Sequence, residues 1–413
     1  MRIMLISDHA DPLAEVGSKE AGGQNIYVFY LSKFLSRQGV YVDVFTRWDK
    51  KNKKEIVQVN KFFRVIRVKA GPKRYMPRDF FFNCTDEFAD NVLKRIKKDG
   101  LKYDIMHCNY WFSGVIGLNL KKKLSIPMLY VFHSIGQVRF DALKNLKLQK
   151  KDYIFFQKRN RFEKKIVEEC DFVVSTSPVE KKLIQRTFGI PAQKIKFISI
   201  GIDDNIFYRR NRGRLSRKLK SLVFKRKIVL YVGRIEWRKG IGTLLYAFKE
   251  TLKNFPRARL LIVGGGKTKA AQALDKNEVD RLKNITRELA LDKSVFFLGP
   301  HKQKELNAFY NLADVCVVPS YYEPFGIVPI ESMACGTPVV ASRIGGLQYT
   351  VKDGETGFLA TVRDYKDLSL KINGIISKDK SFFSNACVER IEEHFSWEKI
   401  AEQYQKFFLK IVK

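Results

Sequence analysis

No segment of this sequence has the run of about 18 uninterrupted apolar residues that a membrane-spanning helix needs. The opening MRIMLIS reaches Asp8 too soon to hold a signal-peptide core, so a cytoplasmic location is expected. Close cysteine pairs are also missing. Cys84, Cys108, Cys170, Cys316, Cys335 and Cys387 lie far apart, with no Cys-x-x-Cys pair and no nearby Cys/His cluster. That argues against a disulfide framework or a zinc site and for reduced thiols packed as small hydrophobes. Acidic residues are few: 43 Asp and Glu stand against 77 Lys and Arg, a formal charge of +34. Such an excess suits nucleic acid, an anionic membrane surface, or phosphorylated small molecules bound by a lysine-rich protein. The densest run, RRNRGRLSRKLKSLVFKRK at 209–227, holds ten basic residues in 19. It comes without zinc-finger spacing or an RNP-like aromatic motif, which disfavours nucleic acid. Peripheral contact with an anionic membrane stays open.

What is present is a long alternation of short β-branched runs and longer amphipathic ones, the signature of parallel sheets covered by helices. Strands are expected at 2–7, 40–46, 65–69, 104–108, 128–132, 172–176 and 196–200, and then at 228–232, 259–263, 295–298, 315–318 and 338–341. Helices such as 24–37, 157–169, 241–254, 278–290 and 303–312 are expected between them. The pattern restarts near 228, after the basic run. A chain of 413 residues accommodates two domains of roughly 200 residues. The reading is α/β, two doubly wound Rossmann-like domains facing a central cleft, joined near 205–225. In such sheets ligands sit beyond the carboxyl ends of the strands, at the switch in strand order. Gly22-Gly23, His107 to Tyr110, His133, Arg234 and Glu323 all fall just after expected strands.

Three stretches carry candidate chemistry. In GRIEWRKG (233–240), Arg234 follows a buried-strand pattern and Lys239 comes five residues later, before a helix. An Arg fork and a Lys point charge on one loop can clamp a diphosphate, although a solvated basic loop fits the same residues. The GGG at 264–266 lacks the full Gly-x-Gly-x-x-Gly fingerprint and is explained as well by a flexible strand-to-helix turn. In EPFGIVPIE (323–331), Gly326 allows close backbone approach and Pro329 suits a helix's first turn, which would run on to Gly336. The free N–H groups of that helix suit a phosphate. Glu323 and Glu331 would flank it, and carboxylates only accept hydrogen bonds, so sugar and ribose hydroxyls are their natural partners. Either glutamate alone could be a capping or a surface carboxylate.

GRIEWRKG, EPFGIVPIESMACGTPVVAS and GGLQYTVKDGETGFL together resemble the donor-site signature of retaining glycosyltransferase family four, which has the GT-B fold. AGGQNIYVFYLSKFLSRQGVYVDVFTR, HCNYWFSG and FHSIGQVR resemble a subgroup containing sucrose synthase, sucrose-phosphate synthase and the inositol-phosphate glycosyltransferase of mycothiol synthesis. The likeness covers nearly the whole chain. It implies a first domain at 1–205, completed by a crossing helix at 397–413, then a basic linker at 206–225 and a nucleotide-sugar-binding domain at 226–396. It assigns Arg234 and Lys239 to the donor diphosphate, Glu323 to hydroxyls of the transferred sugar and Glu331 to the ribose. The backbone of Phe325, Gly326 and Ile327 would meet phosphate or sugar, Gly23 would approach the diphosphate, and His133 would sit at the reaction centre. Without the likeness, His133 reads as a satisfied strand-end histidine.

The resemblance further implies a hexose, of glucose or N-acetylglucosamine type, moved with retention from a nucleotide-diphosphate sugar, UDP-linked by expectation. The acceptor would be a small phosphorylated molecule such as inositol phosphate or fructose 6-phosphate. The alternative is a lipid-linked or cell-envelope glycan acceptor at a membrane surface. Matching acceptor-phosphate positions are Arg78, Tyr110, Ser134 and Arg159, with Arg74, Arg139 and Arg161 as rivals; Arg at 78 and Ser at 134 depart from the usual Lys and Thr. The sequence has no Asp-x-Asp, so no metal and no other cofactor is expected. Arg234, Lys239 and the helix end would stabilise the leaving diphosphate.

Overall fold

A computed structural model of the chain describes residues 1–14, 22–74, 76, 78–143, 149–210, 223–266 and 269–412, with backbone alone at 78, 79, 269–271, 273 and 274. Most of the expected basic linker, at 211–222, lies outside the described residues. The chain divides into two units: Met1–Ala14, Glu20–Ser199 and Trp397–Lys413 form one, and Ile200–Ser396 form the other.

The first unit is built on an eight-stranded sheet. Its strands are β1 (Arg2–Ile6), β2 (Tyr41–Arg47), β3 (Ile56–Asn60), β4 (Phe63–Val68), β5 (Ile105–Asn109), β6 (Met128–Val131), β7 (Phe172–Ser175) and β8 (Ile195–Phe197), in the order β3-β4-β2-β1-β5-β6-β7-β8. All pairs are parallel except β3 with β4. Runs such as Ile3–Ile6 and Ile105–Asn109 are buried throughout because helices cover both faces of a parallel sheet. β3 is the element that periodicity does not reveal: IVQVN is half-exposed and only extends the sheet as an antiparallel edge.

The second unit carries β9 (Ile228–Gly233), β10 (Arg259–Gly264), β11 (Val295–Gly299), β12 (Val315–Val318), β13 (Val339–Ser342) and β14 (Gly357–Ala360). Their order, β11-β10-β9-β12-β13-β14, is all parallel and is the doubly wound arrangement. In both sheets the order reverses beside the first strand, between β1 and β5 and between β9 and β12. The loops leaving those four strands therefore diverge and leave room for a ligand at each carboxyl edge.

The helix Trp397–Val412 belongs with the first unit. Its buried residues Trp397, Ile400, Ala401, Tyr404 and Phe408 recur at helical spacing and pack against the helix Gly23–Arg37. Trp397 is fully buried and stacks on Tyr30 and Phe34, with ring centroids 6.2 and 6.4 Å apart. Removing so large a buried ring leaves a cavity that the helices cannot fill. Trp397→Ala should therefore destabilise the first unit by about 3–5 kcal/mol. The check is the urea midpoint for amide exchange within Gly23–Arg37, and an unchanged midpoint would refute the packing role.

Candidate active site

At the carboxyl edge of the second sheet, Gly233 ends β9 and Arg234 follows, exposed. The next residues turn through the short helix Trp237–Lys239 into Gly240, which has φ +68° and caps the helix Ile241–Asn254. A Cβ at Gly240 would lie 1.9 Å from the Pro319 carbonyl oxygen, so only glycine lets this loop meet the loop after β12. The Tyr321 N–H then donates to the Arg238 carbonyl at 2.8 Å. That closure sets Lys239 Nζ 2.5 Å from Glu323 Oε2, which also accepts from Ser320 Oγ at 3.3 Å.

The charges are mutually compensating. Glu236 accepts from Arg238 Nε at 2.7 Å and from Arg234 Nη1 at 3.2 Å. Burial works against ionisation of Glu236, but the charges of Arg238, Arg234 and Lys239 bring its carboxyl down to about 2. Burial likewise opposes the Glu323 charge, and Lys239 and Arg238 overcome it, holding the group below the ordinary carboxylate range. Both glutamates are thus anions at neutral pH.

Gly326, with φ +97°, is the N-cap of the helix Ile327–Ala334, and a Cβ there would strike Leu347 at 2.6 Å. The turn therefore depends on glycine. Phe325 is buried against Phe395, at 6.1 Å between centroids, which fixes the backbone entering the helix. Glu331 is on this helix, buried, and accepts from Tyr310 Oη at 2.6 Å. The glycine turn at 264–266 follows β10, and the Gly266 N–H is taken by Asp275 at 2.6 Å.

In the first unit the carboxyl edge holds a different chemistry. Gly23 opens the helix Gly23–Arg37 and is exposed. His133 follows β6 with φ +54°, and its Nε2 lies 3.0 Å from Asn109 Oδ1 at the end of β5. The Tyr27 ring meets His133 edge-on at 4.9 Å. Burial first, and then the neighbouring His107 and His9, lower the His133 pKa to about 3. His133 is therefore neutral at physiological pH and too weak a base to take a proton, which suits orientation of a hydroxyl.

Tyr110 caps the helix Trp111–Leu124 with φ +79° and is nearly buried. His9 packs on its ring at 5.0 Å, and the Arg159 guanidinium carbon lies 4.9 Å from its centre. Arg159 is fully buried: its Nε donates to Glu163 at 2.7 Å and its Nη2 donates to the Ser134 carbonyl. A buried guanidinium requires such a carboxylate. Arg159 consequently props the turn that carries Ser134 rather than presenting an exposed charge. Arg78 begins the short helix Arg78–Cys84, and its side chain lies outside the described residues. Arg47 donates to the carbonyls of Ala70, Pro72 and Arg74, which orders the chain leading toward it.

Comparison with known proteins decides the family. Residues 21–206 match the family model Glycosyltransferase Family 4, and residues 216–393 match Glycosyl transferases group 1. The D-inositol 3-phosphate glycosyltransferase of Corynebacterium jeikeium (strain K411) is 32% identical over 413 residues, covering 99% of this chain and 96% of its own. The chain belongs to glycosyltransferase family four. The mannosylfructose-phosphate synthase of Agrobacterium fabrum is 30% identical, covering 97% of this chain and 90% of its own. Among solved structures, the sucrose-phosphate synthase of Thermosynechococcus elongatus is 36% identical with a TM-score of 0.88, covering 99% of this chain and 98% of that one.

Around these candidate positions stand residues that the sequence did not single out. Glu236 is the acid between Arg234 and Arg238, and its presence in an otherwise basic loop is a signal that could have been read. Asn109 sits within the HCNYW stretch, and His9 follows the Asp8 that ends the first apolar run. Tyr310, the partner of Glu331, gives no such signal. Among the described residues, no group of three or more His, Cys, Asp and Glu is placed to hold a metal ion.

Burial raises the Glu331 pKa to about 7, although hydrogen bonds from Tyr310 and Gln303 oppose the rise. The folded chain therefore binds this proton more tightly than the unfolded chain, and the contribution is lost as pH rises from about 4.5 through 7. Across that window the wild type should lose stability relative to Glu331→Gln, with a slope of at most about 1.4 kcal/mol per pH unit. Denaturation of both proteins at several pH values measures it, and a constant difference would disprove the shift.

Proposed function

We propose that this glycosyltransferase moves a hexose, with retention of configuration, from a UDP-sugar to a small phosphorylated acceptor of the inositol phosphate or fructose 6-phosphate class. The observation that carries the reading is the loop pair in which Gly240 brings Lys239 onto Glu323 beside Arg234. It supplies cations for a diphosphate and, in Glu323, an acceptor for sugar hydroxyls that is ionised at neutral pH, within one local structure. The names of the relatives support the acceptor class, since D-inositol 3-phosphate glycosyltransferase, mannosylfructose-phosphate synthase and sucrose-phosphate synthase each name a phosphorylated acceptor or product. They do not favour the alternative of a lipid-linked or cell-envelope acceptor. Action in the cytoplasm is part of the same proposal; separately, among the described residues no helix is long and apolar enough to cross a membrane.

In this mechanism Arg234 and Lys239 bind the donor diphosphate, and the N–H groups at Phe325 to Ile327 receive phosphate or sugar oxygens. Glu323 accepts from hydroxyls of the transferred hexose, and Glu331 accepts from the ribose. Gly23 allows the backbone to approach the diphosphate. As the glycosidic bond to the diphosphate breaks, negative charge grows on the leaving oxygen, and the two cations stabilise it without a metal ion. The departing phosphate takes the proton of the acceptor hydroxyl, which attacks on the same face of the sugar. His133 orients hydroxyls. Tyr110, Ser134 and Arg78 bind the acceptor phosphate, with Arg159 bracing Ser134.

Nucleoside diphosphate release in EDTA from UDP-glucose, UDP-N-acetylglucosamine and GDP-mannose tests this, each with inositol 1-phosphate, fructose 6-phosphate or no acceptor. Release from a UDP-sugar that requires one phosphorylated acceptor is expected. Release that needs added divalent metal, or that ignores the acceptor, would overturn it. Glu323→Gln should lower kcat by about 10- to 100-fold, the loss of one charged hydrogen bond; wild-type turnover in that variant would remove Glu323 from the mechanism.

A further inference from the structure

The side-chain amide of Asn109, fully buried at the end of β5, has only one orientation that satisfies its surroundings. Its Nδ2 lies 3.2 Å from the Ile6 carbonyl, 3.3 Å from the His107 carbonyl and 3.2 Å from His107 Nδ1. Two of those atoms can only accept hydrogen bonds. Turning the amide over would place its oxygen against both carbonyl oxygens, so the NH2 group must face them. The amide oxygen then faces His133 Nε2 at 3.0 Å, and an oxygen that can only accept requires a proton on that nitrogen.

A neutral imidazole carries one N–H, so the proton on Nε2 leaves Nδ1 with its lone pair. His133 Nδ1 makes no hydrogen bond among the described residues. Packing holds the ring in place as well. Tyr27 meets it edge-on, the Tyr27 hydroxyl bonds that of Tyr404, and the Tyr404 ring lies 5.7 Å from His107. The titratable groups around His133 are His107, His9 and Tyr27, and both histidines oppose a positive charge on it.

We propose that Asn109 is a positioning residue that fixes His133 as the Nε2–H tautomer, so that His133 meets substrate with Nδ1 as a hydrogen-bond acceptor only. The proposal rests on the reading that His133 orients substrate. It gives that contact a chemical class. Nδ1 receives a hydroxyl of the sugar or of the acceptor, and it disfavours a phosphate oxygen, which is mostly deprotonated at neutral pH and itself accepts hydrogen bonds. Phosphate recognition falls instead to neighbours such as Ser134, whose hydroxyl donates.

The test is an NMR spectrum of the full chain labelled with 15N-histidine. The sequence has five histidines, so the spectrum is simple enough to assign His133 by its loss in His133→Gln. The expected result is the Nε2–H pattern, unchanged from about pH 5.5 to 8.5, a range that spans the ordinary histidine pKa. An Nδ1–H pattern, or titration with a midpoint near 6.5, would overturn the proposal. In Asn109→Ala the two tautomers should mix, and kcat should fall about tenfold while the KM for the nucleotide sugar stays within about twofold. Wild-type kcat in that variant would end the positioning role and leave the transferase reading intact. The wild-type spectrum decides the tautomer even if Asn109→Ala does not fold or no sugar is transferred.

Discussion

Five charged side chains on two loops of the second unit hold one another in place, and the carboxyl edge of that sheet is organised around their balance. Arg234, Arg238 and Lys239 face Glu236 and Glu323. Burial opposes the charge on both carboxylates and the cations outweigh it, while the carboxylates in turn offset the repulsion among the three cations. The balance is incomplete in a useful direction: three cations against two carboxylates leave one positive charge in excess, next to the N-terminus of the helix Ile327–Ala334. The contact of Gly240 with Pro319 makes the arrangement possible, because any side chain there would separate the loops and undo the Lys239–Glu323 pair.

In the first unit, the two histidines that flank Asn109 carry no charge. His107 and His133 are both kept neutral by burial, with pKa values lowered to about 4 and about 3. Their nitrogens are joined through Asn109. The second unit's edge thus relies on ion pairs whose strength changes with salt and solvent access, whereas the first combines the buried Arg159–Glu163 pair with uncharged hydrogen bonds whose direction matters more than their strength.

Much of this was legible in the sequence. The strands β9, β10, β12 and β13 were visible because a strand buried on both faces is a nearly continuous apolar run, and Arg234 and Glu323 were visible because they follow such runs. What escaped had physical causes. β3 is a half-exposed edge, and β14 is four residues that begin with glycine. The helix Trp111–Leu124 begins in a stretch read as a strand end, and Thr85–Asp99 was passed over. Arg159 was matched to an acceptor-phosphate position, and the sequence alone does not show that Glu163, one helical turn away, shares its burial. The partnerships of His133 with Asn109 and of Tyr27 with Tyr404 span 24 and 377 residues, and only folding brings them together.

The closing helix also sets an order of events during synthesis. Trp397 and Tyr404 complete the first unit, yet they are made after all of Ile200–Ser396. While the ribosome produces those residues, Tyr27, Tyr30 and Phe34 lack the cover of Trp397 and Tyr404, and the unit that starts first finishes last. At about 5–20 residues per second the apolar face of Gly23–Arg37 stands uncovered for roughly 10–40 s. The second unit, whose strands and helices are contiguous in the chain, can close its sheet within that interval. For the nascent chain, the aromatic face of Gly23–Arg37 is thus the surface that a folding chaperone would have to shield.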